Sequence, residues 1–201
     1  MNVLVLGGTR GLGRAVVAVA HAAGHTLTVL ARQPGELGPA VSGVRMVLGD
    51  VTDPLDVERA MAGQHAVVWA VRARGRRELA VTYAQGMHGV LGAMAALRVR
   101  RLVCVTGSAP VRRLPLVSAG VVRAWAEETE RLEAQVRASM LDWTIVRAAP
   151  LTDRAPTGLY QAVTAPPAGR PRPIARGDVA AFVVDDLGAP DHLHRTVYLG
   201  G

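Results

Sequence analysis

Four apolar residues, Val3 to Leu6, run directly into GGTRGLGR, after which Leu12, Val16 and Val19 recur at helical spacing. A short apolar run of this kind reads as a buried strand, so strand, turn and helix follow one another without a gap. That order constrains the fold strongly, because it presents the N-terminus of a helix at the end of a strand, where a pyrophosphate finds unpaired N–H groups and a partial positive charge. Gly7 allows the tight turn, Gly11 lets the backbone approach the phosphates, and Gly13 lets the helix pack close to the strand. The spacing is GxxxGxG rather than GxGxxG; its place between strand and helix separates it from a glycine turn that binds nothing.

A chain of 201 residues, half of them hydrophobic, suits one α/β domain over 1–201 with a sizeable core. Only 3% of residues are aromatic, so that core has to come from Val, Leu and Ala. There is no membrane-length apolar run, and with the first strand beginning at residue 2 no signal peptide is read, so the expectation is a cytoplasmic protein. Cys104 is the only cysteine and is expected inside a strand. Net charge is +7, and all 23 basic residues are arginine. The missing lysines exclude a Schiff-base lysine and a P-loop lysine. Arginine binds phosphate bidentately, so a basic balance does not by itself mean nucleic acid.

Further strands are read at Thr26 to Leu30, Val44 to Leu48, His65 to Ala70, Arg101 to Thr106 and Trp143 to Arg147, with a terminal one through Leu199 and another between Thr157 and Thr164. Where a NAD-binding unit carries an acid about 20 positions past its fingerprint, this chain has Arg32. A guanidinium there, with Arg10 from the glycine loop, pairs with a ribose 2′-phosphate, which favours NADPH over NADH; the alternative is a solvated surface arginine. Asp50, with Val51 beside it, either accepts a hydrogen bond from an adenine amino group or caps a turn. Asp53 and Pro54 begin a short helix through Met61.

The segment Val71 to Arg77 carries Arg72, Arg74, Arg76 and Arg77 beyond the fourth strand, at the edge where ligands bind; only Arg72 is carried forward, the rest reading as a solvated charge run. The next helix, to about Leu97, is expected to bury Met87, Val90, Leu91, Met94 and Leu97, with Gly86 and Gly89 permitting close approach. A long helix from about Ser118 to Ser139 is expected to bury Val121, Trp125, Leu132 and Val136, to pair Glu127 with Arg131, and to keep its acidic face in solvent. Asp178 reads as the cap of a final helix to Leu187. The tripeptide Arg176, Gly177, Asp178 reads as an accidental adhesion sequence, and His192 with His194, sharing one face without a third ligand, as no metal site.

SMLDWTIVRAAPLTDRAPTGLY, Ser139 to Tyr160, resembles the segment SGLDWTIVRPxxLTDxPxTGxY of atypical short-chain dehydrogenase/reductases, the NAD(P)H-binding proteins similar to flavin reductase and biliverdin-IXβ reductase. The glycine loop, Arg32, Asp50 with Val51, and RGDVAAF from Arg176 to Phe182 follow the same template in order, so the resemblance covers essentially the whole chain. It implies a Rossmann-type doubly wound parallel sheet flanked by helices. Gly7, Thr9, Arg10, Gly11, Leu12 and Gly13 would hold the pyrophosphate, Arg32 the 2′-phosphate, and Asp50 and Val51 the adenine. Ala70, Val71, Arg72, Thr106, Gly107, Ser108, Ala149, Pro150 and Leu151 would line the ribose and nicotinamide, with segments 108–118 and 154–175 shaping the substrate side.

In reductases of this kind hydride passes directly to a flavin-, quinone- or tetrapyrrole-like acceptor, a small and possibly anionic molecule. Ser108 is the one polar side chain expected at the reacting centre. Arg10 stands in place of the middle glycine, Met140 in place of the glycine of SGLDW, and Ala148 in place of the proline after Arg147. Pro150 takes the place of a histidine implied for biliverdin-IXβ reductase, and without lysine the Tyr/Lys pair of much of the superfamily is missing. These departures leave a second reading, a non-catalytic NADP(H)-binding redox sensor. Neither nucleic acid nor membrane is an expected partner, since the arginines lack aromatic interleaving; a monomer or homodimer is expected.

Overall fold

In a computed structural model, residues 1–33, 42–72, 76–107, 119–169 and 171–201 are described. The elements are β1 (Asn2–Leu6), α1 (Gly11–Ala22), β2 (Thr26–Ala31), β3 (Arg45–Leu48), α2 (Pro54–Met61) and β4 (Ala66–Trp69) in the first half. They continue with α3 (Arg76–Val81), a π-helical turn (Thr82–Gly86), α4 (Met87–Ala96), β5 (Arg101–Gly107), α5 (Ala119–Ala138) and β6 (Asp142–Ala148). The chain ends with β7 (Leu151–Thr152), β8 (Gln161–Val163), β9 (Ile174–Ala175), α6 (Arg176–Gly188) and β10 (Arg195–Gly200).

The main sheet has the order β3-β2-β1-β4-β5-β6-β10-β8, parallel except where β8 runs antiparallel to β10. β1 pairs with β2 on one side and β4 on the other, so the chain changes direction across the sheet at β1, and the loop after β1 opens at that switch point. Alternation along the strands sorts the core into two layers. Val3 and Val5 join Val16, Val17, Val179 and Val183 beneath α1 and α6. Leu4 and Leu6 join Met61, Trp69, Met87, Met94, Leu132 and Ile145 beneath α2, α4 and α5. The valine layer lets α1 and α6 sit close to the sheet; the bulkier layer fills the space under α4 and α5.

Several sequence expectations are corrected. One continuous helix was expected after the fourth strand, but a π-helical turn divides α3 from α4, and Leu97 is 44% exposed instead of buried. Gly86 does permit close approach, since a Cβ there would lie 3.3 Å from Val51 Cγ1, but nothing lies within 4 Å of one on Gly89. In α5, Arg131 reaches Glu128 and Glu127 accepts from Arg123, so the expected Glu127 to Arg131 pair is replaced by these two. The acidic face of α5 is not all solvated, because Glu133 is fully buried. Only Gln161–Val163 of the strand expected between Thr157 and Thr164 forms.

The last helix begins at Arg176 with Ala175 at its cap, so Asp178 lies inside the first turn and caps nothing. His192 and His194 serve packing. His192 Nδ1 is 2.8 Å from Asp186 Oδ1, and Asp186 is in turn bound by the buried Arg101 guanidinium at 2.5 Å. The His194 ring bonds Leu141 O at 3.0 Å. No cluster of metal-ligand side chains exists among the described residues. Cys104 is buried in β5 as expected, and burial pushes its thiol well up, out of the reactive range.

Candidate functional site

The loop after β1 is shaped by atoms that glycine leaves out. At Gly7, φ is +84°, and a Cβ would stand 2.6 Å from Ala70 O, so the turn presses against the chain leaving β4. A Cβ on Gly13 would collide with Gly7 O, which is why α1 can begin directly over the turn. Gly11 carries φ +53°, in the left-handed region. Gly8 adds a contact that the spacing did not reveal: a Cβ would meet Val17 and Val29 at 3.0 Å. The N-cap residue of α1, Arg10, makes no side-chain cap hydrogen bond, and the first turn holds no acidic residue. The helix therefore presents its N-terminal N–H groups and positive dipole end to the loop without an internal anion, which suits a phosphate.

Around this loop several of the predicted residues that are described lie along the carboxyl edge of the sheet. Arg32 follows β2 and is half exposed, with its Nη1 2.9 Å from Glu78 Oε1 in α3. Asp50 follows β3; its Oδ1 accepts from Thr52 N at 2.9 Å and Thr52 Oγ1 at 2.8 Å, which is the turn-forming role. The Asp50 N–H in turn reaches Asp56 Oδ2, and Gly49 is required there because a Cβ would run into the Asp56 carboxylate. Val51 packs against the larger-residue layer. Ala70 and Val71 follow β4 beside Gly7, and Arg72 is exposed.

Thr106 ends up elsewhere than its position suggests. Its side chain is 1% exposed and its Oγ1 donates to Glu133 Oε1 at 2.8 Å, so the hydroxyl is committed to the α5 side of the sheet. Gly107, next in β5, is exposed. Ala149 is held by its N–H to Leu199 O at 2.8 Å, Pro150 O accepts from Ile174 N at 3.0 Å, and Leu151 pairs with Ile174 in the β7–β9 ribbon. Arg74, Ser108 and the 108–118 segment lie outside the described residues.

Two groups escaped the sequence reading. Glu133 binds Arg147 Nη2 at 2.6 Å, Arg137 Nη2 at 2.5 Å and Thr106, tying β5, β6 and α5 together under the site. The bonds to Glu133 hold Arg147 well above the ordinary guanidinium range. The second group is the supposed adhesion tripeptide, whose three residues all grip the loop after β7. Arg176 pairs with Asp153; a Cβ on Gly177 would strike Pro156 at 2.9 Å; Asp178 Oδ1 accepts from Thr157 N at 2.9 Å and Gly158 N at 2.8 Å. Arg176 also reaches the glycine loop, with its Nε 4.0 Å from the Cβ position of Gly11. A groove of about 820 Å³ between α4 and α5, lined by Leu91, Gly92, Ala138 and Leu141, lies at the opposite edge of the sheet and takes no part here.

A family described as NAD(P)H-binding matches residues 7–190. The chain belongs to the NAD(P)H-binding family. Its glycine loop, switch point and strand order give that family's nucleotide cradle a physical basis in this sequence. Among solved structures, a Rossmann-fold NAD(P)-binding family protein from Shigella flexneri is similar at 25% identity, covering 99% of this chain and 92% of that one with a TM-score of 0.78. A short-chain dehydrogenase/reductase from Veillonella parvula in complex with NADP has 17% identity, coverage of 100% and 94%, and a TM-score of 0.78. An anaerobilin reductase from Escherichia coli O157:H7 has 21% identity, coverage of 99% and 96%, and a TM-score of 0.80. This NAD(P)H-binding protein thus has a Rossmann-type fold, as the resemblance implied. No helix among the described residues is long and apolar enough to cross a membrane.

Proposed function

We propose that the protein is an NADPH-dependent reductase that passes hydride to a small conjugated acceptor of flavin, quinone or tetrapyrrole type. The observation that carries this is the cradle at the switch point, where Gly7, Gly11 and Gly13 open a path to the uncapped N-terminus of α1 while Arg32 waits at the end of β2. When bound, NADPH supplies the hydride from its nicotinamide. The residues of the chain hold and orient: the α1 N–H groups and Arg176 face the diphosphate, Arg32 the 2′-phosphate, and the Ala149 to Leu151 backbone limits the nicotinamide end. Direct hydride transfer to a conjugated acceptor asks little acid chemistry of the protein, which agrees with a sequence that contains no lysine. Ser108 is the polar group proposed nearest the reacting centre.

A paired titration with NADPH and NADH, followed by FMN while the nicotinamide absorbance is watched, tests this reading. Tight NADPH binding with flavin-dependent oxidation is expected. Binding without oxidation by flavin, quinone or tetrapyrrole acceptors would favour the redox-sensor alternative, and no binding would overturn the site. Arg32→Ala is expected to weaken NADPH by roughly 10- to 100-fold while NADH changes little, because a charge-assisted fork is lost only where a phosphate is present. Equal losses for both nucleotides would remove Arg32 from the 2′-phosphate. Ser108→Ala is expected to slow hydride transfer in a single turnover at nearly unchanged NADPH affinity.

A further inference from the structure

The cation proposed for the 2′-phosphate does not stand alone. Arg32 Nη1 lies 2.9 Å from Glu78 Oε1, and the two side chains are 59% and 28% exposed. Glu78 belongs to the first turn of α3, an element that reaches this point from beyond β4. In NAD-binding sheets the acid that accepts the ribose 2′-hydroxyl sits at the end of the second strand. Here that place holds the arginine, and a carboxylate is brought beside it from another part of the chain.

We propose that Glu78 sets the nucleotide preference of this site, competing with a 2′-phosphate for Arg32 and accepting the 2′-hydroxyl when the ribose carries none. The inference rests on Arg32 being the 2′-phosphate group. A guanidinium has donors enough for two partners, but a carboxylate and a phosphate gathered on one fork repel each other, and that repulsion acts only on the phosphorylated ribose. A 2′-hydroxyl, by contrast, donates to the carboxylate without adding charge. Glu78 therefore narrows the preference for NADPH that Arg32 alone would give, leaving a site that accepts both nucleotides.

The two nucleotide fragments that differ only at the 2′ position provide the test, read as binding affinities with no turnover involved. Glu78→Gln keeps the size of the side chain and one acceptor oxygen while removing the charge. It is expected to tighten adenosine 2′,5′-bisphosphate by about two- to fivefold, the range of a partly exposed charge interaction, and to weaken 5′-AMP by a similar factor because its 2′-hydroxyl loses a charged acceptor. Unchanged or weaker bisphosphate binding in Glu78→Gln would overturn the proposal, the weaker result meaning that Glu78 only holds Arg32 in place. Arg32→Ala in parallel tests the underlying assignment. If that variant kept the preference for bisphosphate over 5′-AMP, the Arg32 assignment itself would fall and Glu78 with it; if Arg32→Ala lost the preference while Glu78→Gln changed nothing, only the role of Glu78 would.

Discussion

The loops after β1 and β7 both lie against Arg176, yet they are held in different ways. After β1 the shape comes from omitted atoms: Gly7 lies against Ala70 O, Gly13 against Gly7 O, and no side chain caps α1. After β7 it comes from added ones, with Arg176 on Asp153 and Asp178 on Thr157 and Gly158, while Glu133 ties Thr106 of β5 to Arg147 of β6 beneath the site. The first loop leaves backbone N–H groups available to an anion. The second has its polar groups taken up by Arg176 and Asp178 of α6, so apart from Arg176 it offers shape more than charge. A site that binds the same diphosphate every time is well served by backbone, whereas the side proposed to meet an acceptor would be free to vary its side chains.

That contrast can be broken at its strongest point first. Glu133→Ala leaves Arg137, Arg147 and the Thr106 hydroxyl without their shared acceptor, and is expected to cost about 3 kcal/mol of stability, measured by urea unfolding. If it instead weakened nucleotide binding without destabilising the fold, the two regions would not be separable. Gly13→Ala forces a methyl into Gly7 O and is expected to cost about 2 kcal/mol and at least tenfold in NADPH affinity. Normal affinity in that variant would mean the turn relaxes and the cradle does not depend on omitted atoms.

Asp178→Ala is a smaller perturbation. It releases Thr157 and Gly158 from a carboxylate 3% exposed, and is expected to cost about 1–2 kcal/mol while leaving adenosine 2′,5′-bisphosphate affinity unchanged. A change in that affinity would show the second loop reaching across to the phosphates. The smallest effect is expected at Gly89, where the same glycine-to-alanine change meets open space inside α4 and should stabilise the protein by about 0.5–1 kcal/mol. Opposite signs at Gly13 and Gly89, seen as opposite shifts of the unfolding midpoint, would confirm that position and not glycine as such decides.

The legibility of the chain followed sequence distance. Gly7, Gly11 and Gly13 lie within one strand–turn–helix unit, so their spacing already describes the cradle, and Asp53 with Pro54 marked the start of α2 for the same local reason. The apolar run of β1 was legible as a buried strand, while its alternation between a Val layer and a Leu layer emerged only in the packed sheet. The π-helical turn between α3 and α4 had no local signal, because Tyr83 and Gly86 take their places by packing on Trp69 and Val51. Burial pushes the Tyr83 phenol up to about 12, so the side chain stays protonated and behaves as part of the core.

Sequence alone thus determined the strand–glycine–helix opening, the parallel α/β class and the arginine that replaces the acid after β2, since each depends on residues close together in the chain or on a residue type at one strand end. Tertiary structure decided what those groups meet. It turned Thr106 away to Glu133, moved Asp178 from a helix cap to a loop clamp, gave the Arg176 tripeptide a structural use, and set Glu78 beside Arg32. The physical reason is that a charged side chain is ambiguous until its partner is known. Whether a carboxylate or guanidinium is solvated, paired or waiting for a ligand depends on which distant element the fold brings within about 3 Å of it.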